Sequence, residues 1–172
     1  MIHASSLIQS RPVPVLGVNG GFIGFLTEVT LKEFEEVFQK ALAGELEVCP
    51  RMRLEAEIEF TNKESISRVI LNDVVLSQRH LARLGTYRIK ADGQLVTTVR
   101  GDGILVATPT GSTAYSMAAG GAIISPVMEA IAVTPINPHQ LSQRQLILPS
   151  SAEIVLTLDM ETDVMATLDG QW

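Results

Sequence analysis

The stretch 86-TYRIKADGQLVTTVRGDGILVAT-108 carries three short runs rich in β-branched and apolar residues, 86–91, 94–100 and 103–108. Asp92-Gly93 separates the first two, and this pair supplies the two positive-φ residues that a type I′ hairpin turn requires. The second break, 100-RGDG-103, reads as a further hairpin turn or as a polar cluster in its own right.

The same pattern extends outward from this core. Upstream, Leu54, Ala56, Ile58 and Phe60 alternate with Glu55, Glu57 and Glu59, the period-two signature of a strand with one wet face. The glutamates point to water there and lack any neighbour that would tune them for acid–base work. Further strands are expected at 67-SRVILNDVVL-76, 144-RQLILP-149, 153-EIVLTLD-159 and 163-DVMATL-168, the last closed by Asp169-Gly170. The bulk of the chain is thus antiparallel β.

The first 44 residues differ. Residues 13-VPVLGVNGG-21 give a strand ending in a glycine turn, followed by 22-FIGFLTEV-29. Thr30 and Glu33 then predict a capping box for a helix, with Leu31, Phe34, Val37, Phe38, Ala41 and Leu42 on its apolar stripe and Gly44 as its stop. This βα unit gives way to continuous strands near Gly44, so the expected division is 1–44 and 45–172. A lone βα unit needs neighbours to cover its faces, and the chain closes at Trp172 just past a turn, so more chain is expected beyond each end.

Composition narrows the class of function. The chain has 172 residues, 46% hydrophobic and 19% charged, which suits a globular protein with one sizeable core. A net charge of −6 and a pI near 5.0 argue against a nucleic-acid partner, which favours a basic face. The single Cys49 leaves no internal disulfide or cysteine-based zinc site and points to a reducing, cytoplasmic setting. The most apolar stretch, 118–136, is interrupted by Ser125, Pro126 and Glu129, so no membrane span is expected.

Chemistry concentrates at one strand-to-helix junction, 105-LVATPTGSTAYSMAAGG-121. Thr108, Thr110, Ser112 and Thr113 surround Gly111, and hydroxyls at such a junction serve either as caps or as a polar cradle for a phosphate or ribose. Tyr115 adds an aromatic face that can lie against a base. Asn72 and Asp73 lie inside an apolar run, where they either bind a ligand or mark a bulge with both side chains in water. Asp102 leads along one strand into the Thr110 loop. His139 follows a proline in a loop, and His3 and His80 carry no supporting pattern; no nucleophile–base set or metal-ligand spacing is visible.

The order 15-VLGVNGGFIGFLTEV-29, 72-NDVVL-76, 99-VRGDGILVATPTGSTAYSMAAGG-121, 134-TPINPHQLSQR-144 and 168-LDGQ-171 closely resembles the NAD kinase family. The resemblance implies a mainly β, C-terminal NAD-binding sandwich preceded by the remnant βα unit of an N-terminal α/β domain. It also implies transfer of a phosphoryl group from ATP, with Mg2+ or another divalent metal, or from polyphosphate, to the 2′-hydroxyl of the adenosine ribose of NAD, giving NADP. By motif position, Asn72 and Asp73 would hold the adenosine and nicotinamide-ribose side of NAD. Thr110, Thr113, Ala114 and Tyr115 would line the adenine and its ribose, with Gly111 letting the backbone come close. Asp102 would face the nicotinamide end across the interface of a homodimer or homotetramer.

Departures from the family pattern qualify this. The family's Gly-Gly-Asp-Gly-Thr loop, whose aspartate is the expected base, does not occur in the sequence, so this chain by itself is expected to bind NAD without turning it over. Asp73 stands where glutamate is usual, and Ala122 and Gln145 stand where prolines are often found. Two other readings accompany the first: a lipid kinase resembling diacylglycerol kinases, and a non-catalytic NAD-binding module.

Overall fold

The computed structural model describes residues 2–8, 11–21, 26–79, 84–158 and 164–170. Residues 22–25, His80, Asp159, Asp163 and Gln171, all within stretches read above, lie outside the described residues. The chain divides into two compact units, residues 1–50 and 51–172.

In the first unit, helix α1 (Ile2–Ile8), which the sequence reading did not anticipate, precedes a two-residue strand β1 (Val18–Asn19). β1 pairs in parallel with β2 (Val29–Thr30), Val18 opposite Val29. Only the end of the expected 13–19 strand is paired; residues 12–17 are irregular. Helix α2 (Phe34–Leu42) follows. Half of the expected capping box forms: Glu33 Oε2 accepts from the Thr30 N–H at 3.1 Å and from the Thr30 hydroxyl at 2.6 Å. At the other end Gly44, at φ 72°, closes a Schellman motif, in which the Glu45 N–H reaches Lys40 O and the Gly44 N–H reaches Ala41 O. The Phe34 and Phe38 rings stack with centroids 5.4 Å apart.

The second unit is antiparallel β. Strands β3 (Leu54–Glu59) and β4 (Ser65–Ile70) form a hairpin whose glutamates, Glu55, Glu57 and Glu59, are all exposed. β5 (Asp73–Gln78), β6 (Gly85–Ala91), β7 (Gln94–Gly101) and β8 (Gly103–Ala107) come next, then the short helix α3 (Tyr115–Ala118). β9 (Ala130–Ile136), β10 (Leu146–Pro149), β11 (Ile154–Leu158) and β12 (Val164–Leu168) complete the unit. One sheet runs β10-β9-β8-β5-β12 and another β11-β6-β7. A core of Tyr87, Ile89, Val99, Ile104, Val106, Ile131 and Val133 draws on both sheets, as the expected sandwich requires. The opposite face of the five-stranded sheet carries Val75, Leu105, Ala107, Ala130, Ala132 and Ile136, joined by Ile124.

Three local expectations change. The run 67–76 is not one strand: it breaks at Leu71–Asn72, so that β4 stays with the β3 hairpin while β5 enters the large sheet. The 100-RGDG-103 break is a crossover instead of a hairpin turn, because β7 pairs with β6 whereas β8 pairs with β5 and β9. Within 118–136 lies the fully buried strand β9, which the sequence reading left unassigned. By contrast, Asp92 at φ 50° and Gly93 at φ 77° form the expected tight turn, with Ala91 opposite Gln94.

Candidate functional site

The break between β4 and β5 is where the polar residues gather. Asn72 and Asp73 are 8% and 5% exposed, between the buried apolar residues Leu71 and Val75. Asp73 pairs with Ala107, the last residue of β8, and the Thr108 N–H donates to Asn72 O at 2.9 Å. The register therefore sets the Asn72–Asp73 turn directly beside the Thr108–Thr113 loop.

Gly111 shows how closely. A Cβ built on it would fall 2.1 Å from Asn72 O and 2.4 Å from Asn72 C, so no residue with a side chain fits against that backbone. The close approach expected of Gly111 is made to the protein's own turn.

The four hydroxyls divide by role. Thr108 Oγ1 donates to Leu71 O at 2.5 Å and accepts from the Gly111 N–H at 3.0 Å, which makes it a cap and a brace for the turn. Ser112 Oγ donates to Pro109 O at 2.6 Å and accepts from the Ile124 N–H at 2.9 Å. Thr113 Oγ1 donates to Thr110 O at 3.0 Å. The side chain of Thr110 is buried and has no hydrogen-bond partner among the described residues. Ala114 and Tyr115 follow directly, Tyr115 being 46% exposed at the start of α3.

Two polar groups in the turn are left over. Asn72 Oδ1 is buried and unpartnered, and no hydrogen bond ties the Asp73 carboxylate to any described residue. Burial, and secondarily the negative charge of Asp169, push the Asp73 carboxyl up to about 6. Buried polar atoms normally find partners, and a free amide oxygen next to a free carboxylate can accept hydrogen bonds from donors brought to the turn.

In the sequence Asp169 stands in a turn and in the 168-LDGQ-171 motif, with no role attached to its side chain. Its carboxylate accepts from the backbone N–H groups of Leu71 at 2.9 Å, Asn72 at 2.6 Å and Asp73 at 3.2 Å. Its partners lie 96 to 98 positions away, which no local pattern reveals.

Asp102 does not join this group within one chain. It lies at the opposite end of β8 from Thr108, roughly 20 Å away at about 3.3 Å per residue. Its backbone is held by Gln78 N–H and Tyr87 hydroxyl donors to its carbonyl and by its own N–H to Ile136 O, while Asn137 Nδ2 donates to its carboxylate at 2.9 Å. Burial and then the charge of Asp102 push the Tyr87 hydroxyl up to about 12. His139, in the loop after β9, is exposed, its N–H donating to Arg100 O at 2.8 Å.

Comparison with known proteins agrees with this sandwich and its motifs. The family model described as the ATP-NAD kinase C-terminal domain matches residues 71–172, and that of the ATP-NAD kinase N-terminal domain matches residues 1–46. The chain belongs to the NAD kinase family. It is 44% identical over 172 residues to the NAD kinase of Geobacter sulfurreducens, covering 99% of this chain and 61% of that protein. Among solved structures, yeast NADH kinase complexed with NADH superposes with a TM-score of 0.93 at 38% identity, covering 99% of this chain and 50% of that one. An NAD kinase from Archaeoglobus fulgidus in complex with ATP gives a TM-score of 0.79 at 26% identity, over 92% of this chain and 60% of that one. The chain thus spans about three fifths of the length of curated relatives it matches.

Proposed function

We propose that this chain is the NAD-binding part of an NAD kinase, which phosphorylates the 2′-hydroxyl of the adenosine ribose of NAD to give NADP. The observation that carries the reading is the pair of unused acceptors in one buried turn, Asn72 Oδ1 and the Asp73 carboxylate. Hydroxyls of a ribose or the amino group of an adenine supply the donors these acceptors lack. Thr110, Thr113, Ala114 and Tyr115 form the next part of the same site, where the exposed Tyr115 ring offers a surface for a base.

ATP, or polyphosphate, is the phosphoryl donor in this reading. Among the described residues no three His, Cys, Asp or Glu gather as metal ligands. A divalent ion would arrive with the donor and be held largely by its phosphates. Residues 1–44 are assigned to the end of an N-terminal α/β domain and 45–172 to the NAD-binding β domain. Asp102 acts on a site other than its own chain's, in a homodimer or homotetramer, because the length of β8 separates it from Asn72. The working compartment proposed is the cytoplasm; among the described residues no helix is long and apolar enough to cross a membrane.

Thermal unfolding tests the reading against the lipid-kinase alternative. Saturating NAD or NADH is expected to raise the melting temperature by several degrees, since a ligand at 100 times its Kd stabilises by about 2.7 kcal/mol. Diacylglycerol micelles are expected to leave it unchanged; the reverse pattern would overturn the assignment.

A further inference from the structure

The Asp169 carboxylate sits where three consecutive N–H groups converge, and it occupies a left-handed turn with Gly170, at φ 50° and 70°. Its own N–H donates back to Asp73 O at 2.8 Å. Leu71, Asn72 and Asp73 are all buried, so without Asp169 these N–H groups would lack an acceptor.

The nearest substitutes would be the side chains of Asn72 and Asp73 themselves. Asn and Asp readily turn their oxygens onto nearby backbone N–H groups, as in Asx turns. Because Asp169 already takes all three, Asn72 Oδ1 and the Asp73 carboxylate stay unused. We infer that Asp169 is a positioning residue for the nucleotide site: it satisfies the Leu71–Asp73 backbone so that Asn72 and Asp73 remain free for a ligand. This inference rests on the nucleotide reading given above. Among the described residues Asp169 is the charged group that acts on Asp73, whose neighbour on the β8 side is the uncharged Ala107.

Asp169→Asn, which keeps one acceptor oxygen and removes the charge, tests this in the full chain. Three quantities are read: NAD affinity by calorimetry, the titration midpoint of the Asp73 carboxyl by carbon-13 NMR, and the melting temperature. NAD affinity is expected to fall about tenfold, the scale of exchanging a charge-assisted hydrogen bond for a neutral one. The Asp73 midpoint is expected to move down from about 6, because the opposing charge is gone. A residue that only stabilised the fold would lower the melting temperature and leave NAD affinity where it was, and that result overturns the inference.

If Asp169→Asn does not fold, Asp169→Glu takes its place. It retains the charge but moves it by one methylene, and wild-type NAD affinity in that variant also overturns the inference. Failure of the wild-type chain to bind NAD would instead strike the nucleotide reading. The Asp73 midpoint in Asp169→Asn would still decide the placement of Asp169, and an unmoved midpoint would refute it.

Discussion

Asp73 carries an acid into a place where ionisation is opposed. Its carboxyl rises from the ordinary 3.8 to about 6, first through burial and then through Asp169. The folded chain therefore holds this proton more tightly than the unfolded chain does. The group's contribution to stability is full below about pH 4 and is lost as pH rises through 6, a difference of up to about 3 kcal/mol. Asp73→Asn is expected to flatten that slope and to make the ligand-free chain about 2 kcal/mol more stable at pH 7, as measured by urea unfolding at pH 4 and 7. Gly111→Ala is expected to destabilise by about 3 kcal/mol or more, since its Cβ would overlap the Asn72 backbone; a melting temperature within 2 °C or so of wild type would contradict the packing described. At this scale an Asn-Asp pair stands out within an apolar run, but the sequence left open whether Asn72 and Asp73 face water, and the structure buries both. The sequence did not announce that Thr108 and Ser112 serve the loop, since a hydroxyl that braces and one that binds look alike in a sequence.

At the scale of elements, the sequence was legible where side chains alternate. The β3 glutamates and the Asp92-Gly93 turn fall where the pattern puts them. β9 escaped because both its faces are buried, which erases alternation, and because Pro135 speaks against a strand. Pro135 is tolerated there for a geometric reason. Ile136 O points to Asp102 on the β8 side, so the Pro135 nitrogen points the other way, where β10 reaches no further than Leu146, its first residue, opposite Val133. The break at Leu71–Asn72 was also hidden, because the carboxylate that takes those N–H groups out of the ladder comes from beyond β12. One pair of family departures proves to be coupled. The Ala122 N–H, which a proline would lack, donates to Gln145 Oε1 at 2.8 Å. Gln145 Nε2 in turn reaches Thr134 Oγ1 at 2.8 Å and Ser116 Oγ at 3.1 Å, tying the segment after α3 to β9. Gln145→Leu is expected to cost about 1 to 2 kcal/mol, and in an Ala122→Pro background the cost should shrink; full additivity in chemical denaturation would contradict the tie.

For the whole molecule, the separation of Asp102 from the Asn72 turn has a consequence for assembly. If a site joins Asp73 of one copy to Asp102 of another, Asp73→Ala and Asp102→Ala chains are each expected to bind NAD poorly. Mixed and reassembled, they should regain a minority of intact sites, about a quarter in a randomly mixed dimer. Recovery of no sites would place both residues in a site of one and the same chain, and normal NAD binding by Asp102→Ala alone would place Asp102 outside the nucleotide site. In α2, Phe34 and Phe38 stack on each other while Leu42 remains 68% exposed.

NAD binding at the buried turn of Asn72 and Asp73 is the proposal on which the others rest. The most direct test is an isothermal titration of NAD into the wild-type chain and into Asp73→Ala, on samples whose mass in solution is known from light scattering. Saturable binding is expected for the wild type, with a loss of about 1 to 3 kcal/mol in the variant, the scale of a hydrogen bond to a charged group. Equal affinity in the two, or no binding by a folded wild-type chain, would contradict the proposal.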